Sequence, residues 1–256
     1  MKRGNKLKKK ILLFACFILF LMSFSFPQEV SAVGTIDGLT HALENQSGET
    51  SDVIKLYVLM GLLSLAPTFL ILTTSFTRII VVLSFVRSSL GTQQNPPNLV
   101  LTGIALFLTL FIMQPVYTEV MDDALTPYLS EELSGSEAFE KAEAPIKKFM
   151  YQQTRDEDIQ LFLDVSKTKK PKDLADLPLT VVIPAYTISE LRTAFSIGFL
   201  IFIPFLVIDI VVASILMSMG MFMLSPVMIS LPFKLLLFVL VDGWYLVVES
   251  LVTGFQ

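Results

Sequence analysis

One cysteine and one histidine are all that this chain holds of the two most versatile reactive side chains. Cys16 lies in an N-terminal apolar run, so no disulfide can close within the chain. His41 stands alone in a polar stretch, which removes histidine-based metal clusters and Ser/His/Asp or Cys/His catalytic sets. Hydrolytic and redox chemistry are therefore not expected, so the chain is read as a non-enzyme with no cofactor, no metal and no nucleic acid. Charged residues are few as well, 16% against 53% hydrophobic, and the mean hydropathy is +0.68. That is more apolar than an ordinary soluble domain. The expected fold class is mostly α: a multispanning helical membrane protein with about four apolar helical segments.

The stretch that organises the rest runs from Phe195 to Val248. Ile197 to Met217 supplies about twenty residues with one ionisable group, Asp209, enough helix to cross roughly 30 Å of hydrocarbon. The connection Met217-Ser218-Met219-Gly220-Met221-Phe222-Met223-Leu224-Ser225-Pro226 has no charge and repeats methionine at every second position. Apolar sequence resumes from Leu231 to Val248. A turn facing bulk water is normally polar, so this one is expected to face protein, lipid or a closed pore. Methionine is unbranched and polarisable, which suits a seal that must deform. In an extended segment the four methionines would share a face; in a helix they would spread over two sides.

Elsewhere the chain is less uniform. Met1 to Lys10 carries six Lys/Arg, Ile11 to Met22 is apolar and Val30-Ser31-Ala32 offers small residues, the three parts of a secretory signal peptide at 1–32. An uncleaved signal anchor is the alternative. Residues 33–52 read as a poorly ordered arm, and 53–118 as a first helical hairpin, either one long bent helix or two segments, around the turn Gly91-Thr92-Gln93-Gln94-Asn95-Pro96-Pro97-Asn98. Residues 119–188 form a small water-exposed, extracytoplasmic helical insert; Glu119 to Arg192 contains fifteen acidic and nine basic residues. Helical periods run through Glu137 to Tyr151 and Asp156 to Val165, whereas Pro171, Pro178 and Pro184 argue against a long helix before Ile188. Residues 189–256 form the second hairpin. A leader cleaved outside puts the arm, the insert and the C-terminus outside and the Gly91 turn and the methionine loop inside; positive-inside bias is too weak to decide.

Asp209, Lys234 and Asp242 lie within apolar sequence, where ionisable groups are costly and need partners. Lys234 and Asp242 are eight apart, about 80° out of line and about 12 Å along a helix, so they cannot pair with each other. Structural ion pairing is favoured over a proton relay, which needs a longer series of carboxylates or histidines. Arg78 and Arg87 fall 180° apart on a regular helix, so subunit contacts or snorkelling are expected.

Several of these stretches, together with Pro67-Thr68-Phe69-Leu70, Thr74-Ser75-Phe76-Thr77-Arg78-Ile79-Ile80-Val81-Val82-Leu83-Ser84, Ile201 to Asp209 and Leu231 to Trp244, resemble the FliP family of flagellar type III export-gate subunits. The resemblance spans about two hundred residues. It implies an oligomeric ring of copies of this chain in the bacterial inner membrane, at the flagellar basal body. FliQ and FliR would complete the channel entry, FlhB and FlhA would sit beside it, and unfolded flagellar proteins would be the substrates. It points to the Met221-Phe222-Met223 end as the constriction, with Met219 part of the pore seal. Phe139, Phe149, Phe162 and Glu190 are candidates for contacts between copies in the outer part of the ring; the alternative is that the phenylalanines fill the insert's own small core. An injectisome export subunit is the alternative within the superfamily. A proton-coupled secondary transporter, suggested by Pro67, Pro204, Pro232 and Asp209, is disfavoured because no related halves are found.

Overall fold

A computed structural model of the chain describes residues 50–92, 94–167 and 177–255. The expected leader, nearly all of the arm, Cys16 and His41 lie outside the described residues. So does the charged linker at 168–176. Among the described residues every regular element is helical. The chain divides into two compact units, Met1–Leu63 and Ser64–Gln256. Of the first, the described part is the opening half of helix α1 (Thr50–Thr73), whose Tyr57, Val58, Leu59 and Leu63 are exposed.

The first apolar stretch of the sequence is two helices. Thr73 and Thr74 turn their hydroxyls back onto the carbonyls of Phe69 and Leu70, at 2.8 and 2.7 Å, and Thr77 donates to Ile71 at 3.0 Å. Hydroxyls that bond the preceding turn compete with continuation of a helix, and the chain bends at Ser75 before α2 (Phe76–Ser89). At fourteen residues, α2 is about 21 Å long, short of the hydrocarbon thickness. Ile79, Val82, Leu83 and Val86 are fully buried. A helix this apolar and this enclosed is a central packing post.

After the Gly91 turn, α3 (Asn98–Ile112) is followed by α4 (Gln114–Val120), a π-helical turn (Met121–Leu125) and the single turn α5 (Thr126–Leu129). The path bends 57° between Ile112 and Gln114, where Pro115 forbids the continuing hydrogen bond. Helix α6 (Gly135–Gln153) opens with a capping box: the Ser134 hydroxyl accepts from the Glu137 N–H and the Glu137 carboxylate accepts from the Ser134 N–H. The Ser134 hydroxyl, which also donates to this carboxylate at 2.7 Å, and then the Ser134 N–H hold the Glu137 carboxyl below its ordinary range. Helix α7 is Asp156–Ser166.

Helix α8 (Leu179–Ser218) has forty residues, roughly 60 Å, twice the hydrocarbon thickness. It begins directly after Pro178, nine residues before the start that the prolines suggest. Pro184 sits in its second turn, where one intrahelical bond is lost. Val181, Val182, Ala185 and Tyr186 offset that loss by packing against α6 and α7, in a core completed by Met113, Phe149, Met150, Ile159, Leu163 and Leu177. The other end of α8 joins a second core built on α2, with Leu101, Ala105, Phe205 and Phe238.

The last apolar stretch, continuous in the sequence, is also broken. Helix α9 (Pro226–Leu240) and α10 (Gly243–Thr253) meet at 61°. A Cβ on Gly243 would stand 2.2 Å from the Phe238 ring. Only a glycine lets that ring lie on the backbone, with Trp244 edge-on to it at 5.3 Å.

The chain is thus an all-helical membrane protein over its described residues. Leu56–Thr73 and Leu179–Ser218 are long and apolar enough to cross a membrane, and the bent pairs α3 with α4–α5 and α9 with α10 raise the number to four if each is one span.

Candidate functional site

Two buried polar nodes sit at different heights of α8. At the lower one, the Arg78 guanidinium of α2 forms an ion pair with the Glu190 carboxylate, Nε reaching Oε2 at 2.9 Å. Its Nη1 donates to the Gly254 carbonyl at 3.0 Å and its Nη2 to Gln153 Oε1 at 3.1 Å. Phe255 lies 3.8 Å beneath the guanidinium and stacks on Phe149. Planar, forked Arg suits such a site because one group can serve several acceptors at once. One side chain therefore joins α2, α6, α8 and the end of the described chain.

Phe149 and Glu190 are both buried inside this chain, and Phe162 is half-buried. In the single chain Phe149 and Glu190 build its own core. Close by, the Ser189 hydroxyl donates to Asp158 and accepts from the Arg155 N–H at 3.0 Å, while Arg155 reaches Asp158 at 2.6 Å.

At the upper node Lys234 of α9 donates to Asp209 of α8 at 2.6 Å and to the Ser89 carbonyl at 3.2 Å. Ser230, one turn earlier, donates to the other Asp209 oxygen. The cation sits at the C-terminal end of α2, where unsatisfied carbonyls and the helix dipole favour positive charge. The structure brings Asp209 and Lys234 together. Asp242 is placed apart from both, exposed at the α9–α10 break with φ of 51°. Arg87 bonds the Pro96 carbonyl at 3.4 Å and the Asn98 side chain, bracing the Gly91 turn.

Beyond the upper node α8 ends at the methionine loop. Gly220 has φ of +75°, its N–H reaches the Met217 carbonyl at 3.1 Å, and the Met221 N–H reaches Leu216 at 3.0 Å. These two bonds are the Schellman termination, which needs the left-handed residue that glycine supplies. The methionines are therefore not on one extended segment: Met217 belongs to α8, Met219 caps it, and Met221 to Met223 form the tip. Among them Met223 is 100% exposed, Phe222 78% and Met219 66%. What the loop presents is a cluster of soft apolar side chains on a turn held by main-chain bonds.

Sequence reasoning named Lys234 and Asp209 without joining them. The signal was available: the two are equidistant from the centre of the loop, between Met221 and Phe222, as facing positions of an antiparallel hairpin must be. Ser230 follows at one helical turn. The Arg78–Glu190 pair, 112 residues apart, carries no such signature, and Gln153 and the Gly254 carbonyl gave none.

Comparison with known proteins extends these observations. A protein-family description, the FliP family, matches residues 59–251. The flagellar biosynthetic protein FliP of Bacillus subtilis is 61% identical over 205 residues, covering 80% of this chain and 93% of that protein. The FliP of Caulobacter vibrioides is 55% identical over 210 residues, 82% of this chain and 79% of the relative. That of Borreliella burgdorferi is 43% identical over 252 residues, 94% and 99% of the two.

Proposed function

The chain belongs to the FliP family, and from that premise we propose that it is a multi-pass inner-membrane subunit of the flagellar type III export gate. Several copies, with FliQ and FliR, form the entry through which unfolded flagellar proteins leave the cell, with FlhA and FlhB alongside. The methionine loop is its deformable seal. What supports this reading best is the loop itself: an uncharged tip whose side chains are exposed although they are apolar. Such a tip is stable only against a neighbour, and copies around an axis supply one another's neighbours.

The same reading gives the buried nodes a structural task. Arg78 with Glu190, and Asp209 with Lys234, fix the heights at which α2, α8 and α9 meet, so that every copy offers the loop at the same level. Phe149 and Glu190 then affect contacts between copies by shaping the subunit that makes them. The relatives named above are all flagellar, which favours this branch over an injectisome.

The test is deletion of the gene in its own bacterium, with complementation by the full chain. Loss of motility and of flagellar protein export, restored by the chain, is the expected result. Images of the chain purified in detergent should show a closed ring with the loops at its centre. Normal export in the deletion strain, or rings whose loops face outward into lipid, would overturn the reading.

A further inference from the structure

The scarcity of histidine and cysteine excludes zinc-type sites, but it says nothing of thioether sulfur, and the chain has eleven methionines. The described ones fall into contrasting groups. Met113 and Met150 are fully buried in the core that α6, α7 and α8 share. Met217, Met219, Met221, Met223 and Met228 lie close together in sequence and are between 42% and 100% exposed. The first four are gathered by the fold of the turn. The Met219 N–H reaches the Ile215 carbonyl at 3.1 Å, that of Gly220 reaches Met217 at 3.1 Å, that of Met221 reaches Leu216 at 3.0 Å and that of Leu224 reaches Met221 at 3.4 Å. Met217, Met219, Met221 and Met223 are therefore set around successive tight turns and not spaced out along a strand. A methionine side chain has three rotatable bonds, so exposed thioethers this close can be brought to one point while the backbone stays as it is.

The chemistry of those donors decides what they hold. From Met217 to Pro232 the sequence has no ionisable side chain, so a hard cation finds no carboxylate there and zinc finds no imidazole or thiolate. Among the described residues no group of three or more His, Cys, Asp or Glu could hold a metal ion anywhere. Soft thioether sulfur, by contrast, selects Cu(I). It also carries no proton to lose, whereas thiol and imidazolium ligands must be deprotonated before they bind. Binding by sulfur of this kind is accordingly insensitive to pH.

We propose that the methionine turn is a binding site for a soft monovalent cation, Cu(I) or its analogue Ag(I), held by the thioethers of Met219, Met221 and Met223 with Met217 completing the set. The site belongs to the single chain, so it goes beyond the export-gate reading and stands or falls separately from it.

The test is titration with Ag(I) of the full chain, purified in detergent, with Cys16→Ala and His41→Asn removing the competing soft ligands. Its methionine methyl groups are isotopically labelled, and each resonance is assigned from the matching Met→Leu variant. The resonances of Met219, Met221 and Met223 should shift until saturated, those of Met113 and Met150 should stay in place, and the pattern should be the same across about pH 5 to 8, where imidazole titrates. Cu(I) kept reduced with ascorbate should shift the same set. Met219→Leu, Met221→Leu and Met223→Leu together keep apolar side chains of similar volume. They should weaken Ag(I) binding by more than the about 10–100-fold that even outer-shell partners of a metal cost when lost. Loop resonances that do not shift, shifts shared equally with Met113 and Met150, or a triple leucine variant that binds as tightly as its parent would each overturn the site. If the triple variant fails to fold, the resonances of the parent chain decide alone. Motility and export in the complemented deletion strain bear only on the gate reading.

Discussion

The two turns that join apolar helices, Gly91 to Asn98 and Met217 to Pro226, are alike in sequence terms: short, uncharged, and each opened by a left-handed glycine region. They are built in opposite ways. The first is fastened by side chains. Arg87 holds Pro96 and Asn98, Thr92 donates to the Asn95 carbonyl at 2.6 Å, and Lys234 bonds the end of α2 just before the turn. The second is held by main-chain bonds at the end of α8 and across the turn, with the Ser218 hydroxyl returned to the Ile215 carbonyl at 2.7 Å, and the side chains of its tip face outward. Side-chain fastening fixes a loop against its scaffold. The first turn is thus tied to the helices around it, and the second presents its apolar side chains outward.

Breaking the fastened side should cost the most. Asp209→Ala leaves Lys234, whose side chain is 3% exposed, with one neutral acceptor. An uncompensated buried charge of this kind costs roughly 3–5 kcal/mol. Ring yield in detergent and export should both fall steeply, and Lys234→Met in the same chain should recover part of the loss. Full ring yield from Asp209→Ala alone would mean that the upper node does not hold the first turn. Arg87→Ala is milder, about 1–2 kcal/mol for its hydrogen bonds. It should be seen as faster amide exchange confined to residues 91–98, and unchanged exchange there would remove the contrast between the turns.

The positions of these fastenings were partly readable. Hydropathy placed the apolar runs, the period at Glu137 to Tyr151 is the body of α6, and that at Asp156 to Val165 is α7. The embedded charges were visible because each interrupts an apolar run. What hydropathy could not show is burial without length. Residues 76–89 read as part of a span, yet they form a post too short to cross a membrane, since transfer scales do not distinguish a lipid face from a protein core. Nor could it show the break at Asp242, which depends on the Phe238 ring lying over Gly243. Pro184 misled for a related reason: a proline penalty is local, and the packing of Tyr186 and its neighbours outweighed it.

The smallest effect on the fold should come from the loop itself. Met219, Met221 and Met223 are exposed in the single chain and touch neither polar node, so changing all three to Ala should leave its helix content unchanged and its stability within about 0.5 kcal/mol of the parent chain, as for surface sites generally. Their contribution is to volume and softness at the tip, where each loses an unbranched, polarisable side chain that can fill an irregular gap. In an assembled gate the expected consequence is a leak: small solutes should cross cells that carry the triple variant, at rates the parent does not show. Leakage with intact rings would confirm that the outward-facing turn closes the passage. Intact rings with unchanged permeability would assign closure to another element and leave the loop's exposure to be explained by lipid contact.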